Sequence, residues 1–414
     1  MKAVVFTLGC KVNQCESASL MEGLRNLGYE VTDQLSPADL YIINTCAVTA
    51  EAEKKSRQAV ARVEKFNSHA KIIITGCASE HSPNDFFDKE NVYLVTGAKS
   101  KDKIFDLINN SGIFIEKEDL YSEGFFSANG ERTRSYVKVQ DGCNNFCSYC
   151  IVPYLRGRSR SRSIEGIKAE IEKLNPVEAV ITGINLSDYN YNGARLADLL
   201  LAIKDYDMRV RLGSLEVGVI DEKFLDATTQ LKDFAPHFHL SLQSGSNSVL
   251  KSMNRKYTAE EYMEKVVLIR RFYPDCAITT DIIAGFFSEN ISDFNETVSL
   301  VEKVEFADIH CFAYSKRSGT VAAKFKDLPG KIKKERLDKL LELKAECRKN
   351  YINKNLGTVQ EVIPEEYADG YVTGYTGNYI RVYTDKNIDL NKKQKVRLKQ
   401  IYNDGVLAEV LKEE

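Results

Sequence analysis

Six cysteines, in two sets of three, are the residues of this chain best suited to chemistry. Cys10, Cys46 and Cys77 each close a short apolar run: AVVFTLGC, DLYIINTC and KIIITGC. Cys143, Cys147 and Cys150 form a C-x3-C-x2-C triplet in the string CNNFCSYC. A structural zinc site closes with four ligands, and neither set supplies a fourth. Iron–sulfur clusters are held by cysteine thiolates, and a cubane held by three keeps one iron open to an outside ligand. Two open positions point to an enzyme. Tyr149, just before the last cysteine of the triplet, is placed to lie against an adenine face.

Elements that would position these cysteines can be read around them. The three apolar runs are short, β-branched and without polar alternation, as parallel strands buried on both faces are. Helical patterns over 14–27 and 49–66 follow the first two, and a loop containing Pro83 follows the third. This α/β pattern predicts an open, doubly wound βαβ domain over residues 1–120. Ligands of such sheets gather outside the carboxyl ends of the strands, where Cys10, Cys46 and Cys77 all fall. A polar, glycine-containing stretch over 121–134 reads as a linker. Six strand candidates follow in residues 135–350: SYVKV, EAVIT, RVRLGS, FHLSLQ, AITTDIIA and ADIHCFAY. Helical patterns separate them, which predicts a partial (β/α)6 barrel, with chemistry at the C-terminal strand ends. Cys143, Gly183, Asn185, Ser214, Glu216, Ser241, Gln243, Asp281, Tyr314 and Ser315 lie at those ends. Residues 351–414 read as five short alternating strands, a small β-barrel of the oligonucleotide-binding type.

Composition bounds the rest. Hydrophobic residues at 43% and charged residues at 28% of 414 are those of a globular protein of two or three domains. No stretch of about 18 apolar residues is present, so no membrane span is expected. The N-terminus lacks signal-peptide features, and a cytoplasmic location is expected. Thiols stay reduced there, so clustered cysteines read as metal ligands rather than disulfides. Cys15, Cys276, Cys311 and Cys347 are isolated and read as small buried residues. The net charge of −2 gives no global sign of a nucleic-acid partner. Arginines alternate at 156, 158, 160 and 162, and basic stripes cover 331–349 and 392–399, which favours a polyanionic partner. Tyr371, Tyr375, Tyr379 and Tyr383 read chiefly as packing residues of the small barrel.

The string DGCNNFCSYCIVPYLRGRSRSR closely resembles the signature of radical S-adenosylmethionine enzymes. With TLGCKVNQCES and HLSLQSGSNSVLKSMNRKY, the chain resembles the methylthiotransferase family over essentially its whole length. The resemblance implies an N-terminal methylthiotransferase domain, the radical S-adenosylmethionine barrel and a C-terminal TRAM domain. It implies two [4Fe-4S] clusters and S-adenosylmethionine: Cys143, Cys147 and Cys150 would hold the cluster that chelates S-adenosylmethionine and cleaves it to a radical. Cys10, Cys46 and Cys77 would hold an auxiliary cluster carrying the sulfur to be inserted. Tyr149, Gly183, Asn185, Ser214, Glu216, Ser241 and Gln243 are the candidate S-adenosylmethionine contacts. No side chain is assigned as a catalytic acid or base, since an aromatic C–H calls for cofactor chemistry.

LGCKVNQCES and DGYVTGYTGNYIRVY resemble the subgroup acting on tRNA threonylcarbamoyladenosine, 3′ of the anticodon. This implies a transferase that forms the 2-methylthio derivative on the tRNA anticodon stem-loop. It would act as a monomer, with a reducing electron donor and a sulfur source. The rival readings are isopentenyladenosine or a ribosomal-protein aspartate as substrate, and a non-catalytic iron–sulfur RNA-binding protein. Two segments depart from the family, GFFSEN (285–290) for GFPGET and GSLEV (213–217) for an SSLEP-like string. One geometric requirement follows: both open irons must face one cavity between the N-terminal sheet and the barrel mouth.

Overall fold

In the computed structural model, which describes residues 1–116, 133–368, 370–385 and 388–411, the first three apolar runs are strands β1 (Lys2–Thr7), β3 (Leu40–Thr45) and β4 (Lys71–Gly76). Helix α1 (Lys11–Asn26) and strand β2 (Glu30–Thr32) lie between the first two, and α2 (Ala50–Glu64) joins β3 to β4. A five-residue helix α3 (Cys77–His81) opens at the third cysteine, and β5 (Val92–Thr96) and β6 (Gly112–Phe114) complete the sheet. The strand order is β2-β1-β3-β4-β5-β6, with every pairing parallel. Alternate strand residues fill two separate cores. Val4, Tyr41, Ile43, Ile72 and Ile74 point to one face, and Ala3, Val5, Leu40, Ile42 and Ile73 to the other. The sheet is doubly wound, as expected. The segment after Cys77 is helical rather than the expected loop; α3 is too short to show a helical period.

All six expected barrel strands form: β7 (Arg134–Asp141), β8 (Glu178–Gly183), β9 (Arg209–Leu212), β10 (His237–Leu240), β11 (Ala277–Ala284) and β12 (Asp308–Ala313). They run parallel in two hydrogen-bonded groups, β7–β9 and β10–β12. Past Gly213 the chain of β9 continues as Ser214–Leu215 and pairs with β10, which joins the groups. Helix α4 (Val152–Arg156) follows the cysteine triplet. Helices α5 (Ile164–Leu174), α6 (Leu196–Ala202), α7 (Glu222–Thr229), α8 (Ala259–Phe272) and α9 (Ile291–Val304) separate the later strands. The main core lies between strands and helices, with Val137, Val139, Ala179, Ile181, Val210 and Leu240 buried in it. Residues at the alternating positions therefore face the barrel interior. The departing GFFSEN loop is held locally: Gly285 N donates to Glu289 Oε1 at 2.9 Å, and Glu289 pairs with Arg336 at 2.5 Å.

Helix α10 (Gly330–Asn355) carries the first basic stripe, much of which is neutralised by Asp308, Asp327, Glu335, Asp338 and Glu342. Strands β13 (Val359–Ala368), β14 (Tyr371–Thr376), β15 (Arg381–Thr384), β16 (Gln394–Tyr402) and β17 (Gly405–Val410) close into a barrel in the order β13-β14-β15-β17-β16. All but the last two residues of the expected 121–134 linker lie outside the described residues. No helix among the described residues is long and apolar enough to cross a membrane.

Candidate active site

Register brings the first three cysteines together. Thr7 pairs with Asn44 across β1–β3, and Thr45 pairs with Gly76 across β3–β4, so Cys10, Cys46 and Cys77 leave three adjacent strand ends. Gly9 and Gly76, each just before a cysteine, both adopt φ +107°, a conformation that favours glycine. A Cβ on Gly9 would lie 2.9 Å from Cys46 Sγ, and one on Gly76 would lie 2.5 Å from Thr45 O. Asn13 clamps the strand ends, donating to Leu8 O (2.7 Å) and Thr45 O (2.9 Å). Burial pushes the Cys46 thiol up to about 11, and Cys77 and Cys10 push it the same way. Cys46 thus sits within electrostatic reach of both Cys10 and Cys77. Cys15, by contrast, lies buried on α1 with Sγ 3.4 Å from Tyr136 O, apart from this group.

The second set sits on the loop after β7, pinned to the segment 252–257. Ser148 Oγ donates to Ser252 O (2.7 Å), and Asn254 Nδ2 donates to Asn145 O (3.2 Å) and Phe146 O (3.0 Å). Burial pushes Cys143 up to about 11 and Cys150 up to about 12, with the neighbouring thiols adding to it. Arg255 Nη1 lies 3.4 Å from Cys147 Sγ and 2.9 Å from Glu216, and its Nη2 donates to Ser241 O at 3.2 Å. Asn185 Nδ2 lies 3.8 Å from Cys143 Sγ.

Of the expected cofactor residues, Asn185, Glu216 and Ser241 are thereby drawn to the triplet, with Asn145 Nδ2 donating to Glu216 at 2.7 Å. Gly183 packs on Gln140, whose Oε1 accepts from Asn185 N at 2.8 Å. Tyr149 meets Phe286 edge-on with ring centroids 6.3 Å apart. Gln243 holds φ +71° while its backbone bridges to β11 through Asp281 O and Ile283 N. Ser214 is exposed. Arg255, and Tyr257, whose hydroxyl donates to Ser241 O at 2.5 Å, were absent from the expected set. Both lie in the string ending MNRKY, but no spacing marks a loop arginine as a sulfur donor.

A buried charge cluster ties the two sets together. Arg156 at the end of α4 is 1% exposed, and its Nε lies 3.4 Å from Cys77 Sγ. Its Nη atoms reach Glu16 (2.8 Å), Asp141 (3.1 Å) and Asn13 (2.8 Å). Lys138 pairs with Glu16 (2.7 Å) and Asp141 (2.6 Å), and Lys101 also pairs with Glu16. Burial works against ionising Glu16, yet Arg156, Lys101 and Lys138 hold it well below the usual carboxylate range. Among the described residues this cluster sets three cations against two carboxylates, beside a cysteine sulfur. Arg156, six residues after Cys150, thus carries the segment that follows the triplet to the sulfur of Cys77.

A cysteine triplet at the C-terminal end of the first strand of an open six-stranded α/β barrel defines a radical S-adenosylmethionine enzyme. Residues 137–301 match the radical SAM superfamily, and residues 2–97 match a family described as uncharacterized protein family UPF0004. Curated relatives include the threonylcarbamoyladenosine tRNA methylthiotransferases MtaB of Bacillus subtilis (34% identical, 100% of this chain and 98% of that one) and Thermotoga maritima (38%, 99% and 97%). A tRNA-2-methylthio-N(6)-dimethylallyladenosine synthase of Porphyromonas gingivalis is 33% identical over 89% of this chain and 85% of its own. The chain belongs to the methylthiotransferase family of radical S-adenosylmethionine enzymes. Its fold is shared with the radical S-adenosylmethionine methyltransferase TsrM of Kitasatospora setae (TM-score 0.56, 13% identity, 78% of this chain and 77% of that one). Membership of the superfamily implies a [4Fe-4S] cluster and S-adenosylmethionine.

Proposed function

We propose that this chain is a tRNA methylthiotransferase that converts N6-threonylcarbamoyladenosine, 3′ of the anticodon, to its 2-methylthio derivative. The observation that carries this reading is end-to-end likeness, at 34% and 38% identity, to enzymes named for that nucleoside. In this reading Cys143, Cys147 and Cys150 hold the cluster that receives S-adenosylmethionine, and Cys10, Cys46 and Cys77 hold a second [4Fe-4S] cluster. The bound groups supply the radical and the sulfur that no side chain can.

The protein's own task is to hold and position. Arg255 and Asn185 support two sulfurs of the triplet, Arg156 supports one of the other set, and the buried charge cluster fixes their relative placement. Tyr149, Gly183, Asn185, Ser214, Glu216, Ser241 and Gln243 are assigned to the S-adenosylmethionine pocket. The division is placed at 1–120, 135–350 and 351–414, with the linker between the first two. Reaching C2 requires the base to leave its stack, which a single-stranded anticodon loop allows. A reducing electron donor and a sulfur source complete the reaction, and the chain acts as a cytoplasmic monomer beside its tRNA.

Anaerobic reconstitution tests this reading. About eight irons per chain are expected from two cubane clusters. 5′-Deoxyadenosine and a 2-methylthio product should form on a threonylcarbamoylated anticodon stem-loop. Cleavage of S-adenosylmethionine without modification of that stem-loop would turn attention to a prenylated adenosine or a protein substrate. Failure of cleavage itself would favour a binding protein.

A further inference from the structure

The run of alternate arginines after the cysteine triplet divides between core and surface. Arg156 and Arg162 are buried against carboxylates, the first at Glu16 and Asp141 and the second at Glu170. Arg158 is exposed, and its guanidinium lies over the ring of Phe146, 4.4 Å from the centroid. Phe146 in turn meets Tyr154 edge to face, with ring centroids 5.7 Å apart and planes at 85°. Tyr154 is 51% exposed, and its hydroxyl makes no hydrogen bond among the described residues.

This trio belongs to the segment that touches both cysteine sets. Tyr154 lies on α4, four residues after Cys150, and Ile151 and Leu155 on either side of it are buried in the apolar cluster that contains Cys77. Arg156, two residues further on, lies 3.4 Å from Cys77 Sγ. Phe146 stands between Cys143 and Cys147 and holds φ +48°, uncommon for a residue other than glycine or asparagine. Asn254 fixes it there by donating to its carbonyl oxygen at 3.0 Å. An edge-to-face contact occupies at most one face of a ring, so the exposed Tyr154 keeps a face for a planar guest.

We propose that a nucleobase flanking the target adenosine stacks on Tyr154, with Arg158 beside it for the phosphate that joins the two nucleotides. This rests on the tRNA reading above and extends it to two side chains. An adenine drawn out of the loop towards the cysteines leaves its neighbour without a stacking partner. An exposed aromatic face replaces that partner, and every base has a π face to offer it. The guanidinium next to the ring supplies the positive charge that fixes the backbone in register.

The test is equilibrium binding of the reconstituted holoprotein to a threonylcarbamoylated anticodon stem-loop, and to two versions with 2-aminopurine on the 5′ or the 3′ side of the target. Tyr154→Ala is expected to bind about ten-fold more weakly, the scale of one base–aromatic stack, and Tyr154→Phe to bind as wild type. At one of the two positions fluorescence should be lower in the wild-type complex than in the Tyr154→Ala complex. Arg158→Gln should reduce the slope of log affinity against log salt by about one. Iron content and thermal midpoint confirm folded, loaded protein. Should Tyr154→Ala fail to fold, Tyr154→Leu keeps the apolar bulk without the π face and is expected to show the same loss. Wild-type affinity in either variant, equal fluorescence at both positions, or a loss in Tyr154→Phe as large as in Tyr154→Ala overturns the inference. An unchanged salt slope in Arg158→Gln overturns the phosphate contact. Product formation on the threonylcarbamoyl stem-loop is scored in parallel. Product with an affinity indifferent to Tyr154 sinks only the stacking role, whereas the expected loss and quenching without product sink the substrate reading and leave the stacking role standing. A wild type that binds no stem-loop sinks both.

Discussion

Cys10 and Cys143 belong to different sets, and substitution should separate their tasks. Cys10→Ala is expected to halve the iron content yet leave S-adenosylmethionine cleavage intact while abolishing methylthiolation. Cys143→Ala should lose both activities. Iron assay and 5′-deoxyadenosine quantification check this, and loss of cleavage in Cys10→Ala would refute the division of labour. Arg255→Met removes the donor 3.4 Å from Cys147 Sγ and leaves Glu216 without its cation. A charge-assisted contact of this kind is worth about 2 kcal/mol, so cleavage should fall by ten-fold or more. The six cysteines stood out at this scale because each closes a strand or belongs to a tight triplet. Arg255 and Arg156 were not, since a loop donor is defined by what it meets across the fold and carries no period of its own.

Strand ends and helix starts carry the next layer of the account. Gly76→Ala forces a Cβ to within 2.5 Å of Thr45 O at φ +107°. A cost of about 2 kcal/mol is expected, with loss of iron from the first set only, read by urea denaturation and iron assay. Helix α2 is held to the loop after β12 by the buried Glu53–Arg317 pair, with Arg317 5% exposed, and by Ala50 N donating to Ser315 Oγ at 3.2 Å. Burial opposes ionisation of Glu53, but its bond to Arg317 outweighs this and holds the carboxyl below its ordinary value. Its contribution is therefore present above the unfolded value of about 4.3 and is lost as pH falls through the lower folded one. Glu53→Gln should cost about 3 kcal/mol at pH 7, a difference that shrinks once the pH drops below about 4. Urea midpoints at both pH values check it. The six barrel strands and five small-barrel strands were legible because their apolar residues repeat cleanly. β5, β6 and α3 were not read from the sequence.

At the scale of the whole molecule, charge was the least legible property. The basic stripes implied a broad polyanion surface, yet Lys334, Lys344, Lys392, Lys393 and Lys399 each face a carboxylate. Arg134, Arg209 and Lys393 also dock the C-terminal barrel beneath the central one, through Glu365, Glu361 and Asp233. Sequence gives the sign of a residue but not the partner that folding brings to it. The tyrosines behave as expected: Tyr371, Tyr383 and Tyr402 pack edge-to-face, while Tyr375 stacks on Tyr379. The central claim is that both cysteine sets serve one reaction on one tRNA nucleoside. Nucleoside mass spectrometry of tRNA from a strain lacking this gene tests it most directly. The account predicts loss of 2-methylthio-N6-threonylcarbamoyladenosine, accumulation of its unthiolated precursor, and restoration by the wild-type gene but by neither Cys10→Ala nor Cys143→Ala. An unchanged level of that nucleoside, or loss of the 2-methylthio dimethylallyl derivative instead, would contradict it.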